Sequence, residues 1–145
     1  MKKTFMAIVL ANTICLGLFA QEKNGKSITP PENVKAAFEK AFPGTSKVKW
    51  EKEGNGYEVN FVQQNKEMSA VFDSKGGWKE TEEEIPVTSL PAAVASYVKN
   101  HYKGAKIKEA AKITSPGGVV TYEAEVNGVD LIFDAQGNFI KEQKG

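Results

Sequence analysis

The sequence predicts an α+β protein built as a tandem repeat, and three observations carry that prediction. The stretch Phe133-Asp134-Ala135-Gln136-Gly137-Asn138-Phe139 also appears 61 positions earlier, as Phe72-Asp73-Ser74-Lys75-Gly76-Gly77-Trp78. Ahead of each copy, apolar and polar residues alternate with the period of half-buried strands. Ahead of those strands, each half carries one apolar stripe at three- and four-residue spacing, which is the period of a helix. The expected architecture is one helix plus a four-stranded antiparallel sheet per repeat. The two sheets are expected to join into one curved eight-stranded sheet with the helices on one face.

In chain order, residues 1–20 read as a signal peptide. Lys2 and Lys3 form the positive start, Phe5 to Phe19 is mostly apolar, and Ala20 precedes the expected cleavage point. The apolar run falls short of the roughly 20 residues that a spanning helix needs, and no later stretch reaches that length. The mature chain is thus expected to be periplasmic or secreted and not membrane-spanning. Cys15 is the only cysteine and would leave with the leader, since Asn12-Thr13-Ile14 lacks the small residues expected before a lipid-modified cysteine. Its loss excludes disulfides, thiol nucleophiles and thiolate metal sites. Without Lys2 and Lys3 the balance is 17 basic against 18 acidic residues, every basic one a lysine. A chain without arginine lacks the planar fork for bidentate phosphate or guanine recognition, so nucleic acid is set aside.

Residues 21–29 are polar and read as a flexible lead-in. The first repeat is expected over 30–85. Its helix begins near Pro31 or Glu32, with Thr29 as candidate N-cap; Val34, Ala37, Phe38, Ala41 and Phe42 form its apolar face, and Pro43-Gly44 ends it. Val48 and Trp50, then Tyr57, Val59 and Phe61, alternate on two strands joined through Gly54-Asn55-Gly56. Gln63-Gln64-Asn65-Lys66 reads as a longer hairpin tip leading to Met68, Ala70 and Phe72, and Trp78 opens a fourth strand. The second repeat, 86–145, follows the joint Ile85 to Leu90. Pro91-Ala92-Ala93-Val94 matches Pro31-Glu32-Asn33-Val34, Tyr102-Lys103-Gly104 matches Phe42-Pro43-Gly44, and Lys106-Ile107-Lys108 matches Lys47-Val48-Lys49. Asn127-Gly128 is a two-residue hairpin of the kind that favours a primed turn.

The joint and second helix, Val87-Thr88-Ser89-Leu90-Pro91-Ala92-Ala93-Val94 with Tyr97 and Tyr102-Lys103-Gly104, and the paired Phe-Asp-x-x-Gly-x-aromatic turns carry a resemblance. They resemble the PepSY-like family of secreted bacterial proteins with a β-lactamase-inhibitor-protein-like fold. The resemblance implies an exported protein that holds another protein on an exposed sheet face. The inhibitor that names the fold has disulfides within its repeats, which this chain lacks, so inhibition of a β-lactamase is not carried over. Restraint of a peptidase enters by analogy.

No reactive constellation is legible, and the chain is expected to be non-enzymatic, without cofactor or metal. His101 is the single histidine, at a helix end where the dipole favours it; a general base or metal site would need partners that are missing. Asp73 and Asp134 read as turn caps rather than calcium ligands. Trp50, Trp78, Tyr57 and Phe139 fall in phase with the core-facing positions and read as packing rather than as a sugar platform. Glu80, Glu82, Glu83 and Glu84 read as a solvated edge beside the joint. Val71 and Ile132 occupy equivalent places on the face away from the helices. They are taken as the apolar floor of a binding surface for a protein or peptide, rimmed by Lys49, Glu58, Lys108 and Glu123. A small-ligand carrier, with a pocket between helix and sheet or between the repeats, is the alternative.

Overall fold

The computed structural model describes residues 26–144; the expected leader with Cys15 and the first part of the lead-in lie outside them. Helix α1 (Glu32–Ala41) is followed by β1 (Ser46–Glu53), β2 (Gly56–Gln63), β3 (Lys66–Phe72) and β4 (Trp78–Glu84). A 3-10 turn (Val87–Ser89) leads to α2 (Ala92–His101), then β5 (Ile107–Ser115), a second 3-10 turn (Pro116–Gly118), β6 (Val119–Val126), β7 (Val129–Asp134) and β8 (Phe139–Lys144). The eight strands form one antiparallel sheet in the order β1 to β8. Strands joined by short turns have no other economical neighbour than the strand just made. The two halves join where Thr81 to Glu84 of β4 pair with Thr114 to Ala111 of β5.

Both helices begin directly after a proline, Pro31 and Pro91, and neither has a side-chain cap. Thr29 is therefore not the N-cap that its position suggests. Val34 N–H instead donates to Pro31 O and Val94 N–H to Pro91 O, so the first turn closes on the backbone. Each helix lays a Val-x-x-x-Phe or Val-x-x-x-Val pair on its own half of the sheet. Around Phe38 the first core is aromatic: Trp50 and Phe61 meet its ring edge-on at centroid distances of 5.4 and 5.1 Å. Val94 and Val98 close the second core, which is mostly aliphatic, over Ala124, Val126, Leu131 and Phe133.

Cross-strand register places both helices on one face. Ala70 of the first core pairs with Thr81, and Thr81 with Thr114; Ala110, on the same side of β5 as Thr114, pairs with Ala124 of the second core.

Several local expectations are corrected. The tip at Gln63 to Lys66 is a two-residue turn, with Gln64 and Asn65 at φ 51° and 62°, the same primed geometry as Asn127-Gly128. Val48 does not match Ile107 in space. A bulge with Lys47 at φ 52° interrupts β1 between Ser46 and Lys49, leaving Val48 exposed while Ile107 packs on the second core. Within the expected flexible lead-in, Ile28 donates its N–H to Trp50 O at 3.0 Å and packs on the first core. That contact covers part of the otherwise unpaired outer edge of β1.

Candidate functional site

The two repeated turns are structural. Asp73 Oδ1 accepts from the N–H groups of Lys75 and Gly77 at 2.9 and 2.8 Å, and Asp134 Oδ1 accepts from Gln136 and Asn138 at the same distances. The Asn138 side-chain amide on Asp134 Oδ2 at 2.9 Å, and then these backbone hydrogen bonds, favour the charged form of Asp134; the Gly77 N–H and then Lys79 do so for Asp73, and both carboxyls lie below their ordinary range. Each aspartate therefore spends its charge on its own loop, as expected of a turn cap. His101 is likewise occupied: its ring stacks on Tyr97 at 4.0 Å, and Nδ1 lies 2.9 Å from Tyr97 O. Trp50 is buried in the first core, with Tyr57 and Trp78 packed against it. Phe139 stacks on Tyr97 at 4.5 Å with its outer side exposed. Among the described residues, no three His, Cys, Asp or Glu side chains are placed to hold a metal ion.

What remains is the face away from the helices. Period two sends alternate residues of every strand there, and the register aligns them in rows across the sheet. One row runs Glu58, Val71, Glu80 over β2 to β4; its counterpart runs Glu123, Ile132, Lys141 over β6 to β8. A neighbouring row runs Asn60, Ser69, Glu82 in the first repeat and Glu125, Asp130, Gln143 in the second.

This face is concave. Glu82 on β4 feels the charge of Asp130 on β7, and Glu80 on β4 feels Lys141 on β8. Those strands lie three and four places apart in a sheet whose neighbours are spaced by about 4.8 Å. Burial agrees: Ser69, Glu82, Ala111 and Ile132 on this face are 1–6% exposed although no helix covers it, as in a sheet curled in on itself.

Curling changes the environment of the expected surface. Val71 is 9% and Ile132 6% exposed, and Glu58 and Glu123 are buried beside them. The expectation of an open, solvent-facing floor is corrected: these four residues line the depth of the hollow. Lys49 and Lys108 do remain at its rim, Lys49 paired with Glu51 at 2.8 Å and Lys108 with Glu125 at 3.3 Å.

The reading of Glu80, Glu82, Glu83 and Glu84 as a solvated edge is also overturned. β4 is a central strand, hydrogen-bonded on both sides. Glu83 points to the helix side and pairs with Lys66, while Glu80 and Glu82 enter the hollow. Glu82 is 1% exposed, and neither of its carboxylate oxygens has a hydrogen-bond partner. Burial first, and then the charges of Glu123, Glu80, Glu58 and Asp130, push its pKa well up. The same causes, burial followed by Asp130 and Glu125, raise Glu123 from 4.5 to about 8. In the sequence, the alternation of Glu80, Glu82 and Glu84 with Thr81 was the signal that two or three of these carboxylates share one face.

A second concavity lies on the helix side where the repeats meet. Ala41, Phe42, Met68, Trp78, Thr81, Glu83, Lys112 and Thr114 line a cleft of about 410 Å³, largely apolar.

A helix-plus-four-strand unit repeated into one eight-stranded sheet defines a class of two-repeat domains. The chain belongs to the PepSY-like family, described as beta-lactamase-inhibitor-like, whose model matches residues 26–69 and 61–141. Among solved structures, a BLIP-like protein of Bacteroides fragilis is 23% identical with a TM-score of 0.68, over 83% of this chain and 89% of that one. A DUF2874 family protein of Bacteroides uniformis is 20% identical with a TM-score of 0.71, over 79% and 89%. A presumptive periplasmic protein of Bacteroides eggerthii is 16% identical with a TM-score of 0.72, over 80% and 89%. These likenesses establish the fold. No curated protein matches the chain. No helix among the described residues is long and apolar enough to cross a membrane.

Proposed function

We propose that this is an exported, non-enzymatic domain that holds a partner protein or peptide in the hollow of its sheet and thereby restrains an envelope hydrolase or peptidase. The observation that carries the reading is the hollow itself. It is built from equivalent rows of both repeats, with Val71 and Ile132 at matched positions among polar groups that neither core requires. Apolar patches ringed by charge suit a specific contact, the charged rim steering the approach and setting register. The family's inhibitor-like description supports restraint as the outcome of binding.

The test is site-directed photo-crosslinking in envelope extract from the producing cell. A crosslinking residue in place of Lys49 or Lys108, both at the rim, is expected to capture the same protein. The same residue in place of Lys40, on the outer side of α1, is expected to capture none. Equal capture from all three positions, or none from any, removes the hollow as the binding surface.

The helix-side cleft favours the second reading, a small-ligand carrier, because it lies both between helix and sheet and between repeats. Native mass spectrometry of the purified protein separates the two readings: a co-purifying small apolar molecule lost on substitution Ala41→Trp supports the carrier.

A further inference from the structure

One carboxylate in the hollow makes no hydrogen bond. Buried carboxylates are normally met by donors, because an unsatisfied one forfeits its hydration without return. Glu82 sits at the centre of the sheet, buried, with both oxygens unpartnered. It is surrounded by further acids: Glu58 from β2, Glu80 from its own strand, Glu123 from β6 and Asp130 from β7. Glu109 on β5 and Glu125 on β6 lie beyond Glu123. The cations of this face are engaged elsewhere. Lys141 on β8 acts on Glu80, Lys49 pairs with Glu51, and Lys108 with Glu109 and Glu125.

Resting on the reading of the hollow as a binding surface, we infer that its occupant is an extended, lysine- or arginine-bearing segment of the partner protein, one of whose cations pairs with Glu82. Three features select this chemistry. The complement of a hollow lined by acids is a basic partner, whose charge draws them into their ionised form. A metal ion would need several oxygens converging at about 2.0–2.6 Å, whereas these carboxylates are spread over β2, β4, β6 and β7 and do not converge. Val71, Ala111 and Ile132 lie between them and are apolar. Lysine and arginine carry their charge on long hydrocarbon stems, which can pass such side chains and reach a carboxylate at depth.

Binding of this kind is linked to protons. Burial and its acidic neighbours favour the protonated form of Glu82. A docked cation favours the charged form, so the proton is released on binding and affinity rises with pH.

The probe is a fluorescein-labelled peptide alternating lysine and arginine with valine and threonine, followed by anisotropy against the full protein at pH 6 to 9. The comparison peptide carries glutamine at each basic position. The basic peptide is expected to bind at least tenfold more tightly than the glutamine peptide, and tenfold more tightly to the wild type than to Glu82→Gln. Its affinity should tighten as pH rises for the wild type and lose most of that dependence in Glu82→Gln. Glu39→Gln, on the outer side of α1, should bind as the wild type does. Glu123→Gln, also in the hollow, provides a second weakened variant in case Glu82→Gln does not fold. Equal binding by wild type and both hollow variants overturns the inference, as does displacement of the peptide by calcium ions or spermidine at concentrations below that of the peptide needed for half-saturation. If Glu82→Gln still crosslinks the envelope partner through position 49 or 108 at wild-type yield, only the cationic occupant fails. If no crosslink forms in the wild type, the hollow itself fails as the interface.

Discussion

At the scale of single residues, the acids of this protein fall into two groups whose pH linkage has opposite sign. Asp73 lies below its ordinary 3.8 because the Gly77 N–H and then Lys79 hold the charged form, and Asp134 because the Asn138 side chain and then its N–H do. Their contribution is present above that value and lost as pH falls through the folded pKa. Glu82 and Glu123 lie above 4.5, Glu123 at about 8. Between 4.5 and 8 the folded protein holds on Glu123 a proton that the unfolded chain has released, and Glu82 is shifted in the same direction. That part of the stability is complete below pH 4.5 and disappears as pH rises through 8. Stability is thus expected to peak near pH 5, with the melting temperature falling from pH 5 to pH 9. Thermal scans of Glu82→Gln and Glu123→Gln should show a flatter alkaline limb, since an amide cannot ionise. An alkaline limb as steep as the wild type's in both variants would contradict the buried-acid account.

At the scale of elements, the repeated turn acts as a latch between the end of a sheet strand and the start of its helix. Gly76 and Gly137 have φ of 84° and 87°, and each is set against the first turn of the helix of its repeat. A Cβ on Gly137 would meet Pro91 Cβ at 2.9 Å and Ala93 Cβ at 3.0 Å. Gly137→Ala therefore combines a left-handed backbone with a clash and is expected to cost about 1–3 kcal/mol, readable by urea denaturation. Gly44→Ala also sits at positive φ, but a Cβ there meets nothing within 4 Å, so it should cost less. Both turns were legible in the sequence because the same residues recur at both sites, whereas their contact with the helix start came only with the tertiary structure. The bulge at Lys47 was not, since a single extra residue leaves the alternating pattern intact on either side of it. Val48 consequently reads as a core residue although it is exposed.

For the whole molecule, the seam between the repeats decides how the two halves behave. Each has its own hydrophobic cluster, which in isolation would permit separate unfolding. The β4–β5 ladder runs unbroken from Thr81 to Glu84, and Ile85 N–H adds a bond to Ala110 O at 3.0 Å. Losing either half would expose a long unpaired strand edge at the centre of the sheet. A single cooperative transition is expected, with far-UV circular dichroism and tryptophan fluorescence coinciding in urea. Both tryptophans, Trp50 and Trp78, report on the first repeat. Fluorescence that changes at lower urea than circular dichroism would show the halves to be independent.

Local pattern alone determined the repeat, the helix and strand periods, the turn aspartates, the order of the strands and the family resemblance. Each of these depends on neighbours a few residues away, or on the same motif occurring twice. Alternation also placed Val71, Ile132, Glu58 and Glu123 correctly on the face away from the helices. Only the tertiary structure decided what that face is. Whether a sheet face is open or hollow depends on twist and curl accumulated over eight strands, and no single strand encodes it. The same curl sets Glu82, a residue in an acidic run, within reach of Glu123 on β6 and Asp130 on β7, some forty residues further along the chain, as a buried carboxylate without a hydrogen-bond partner.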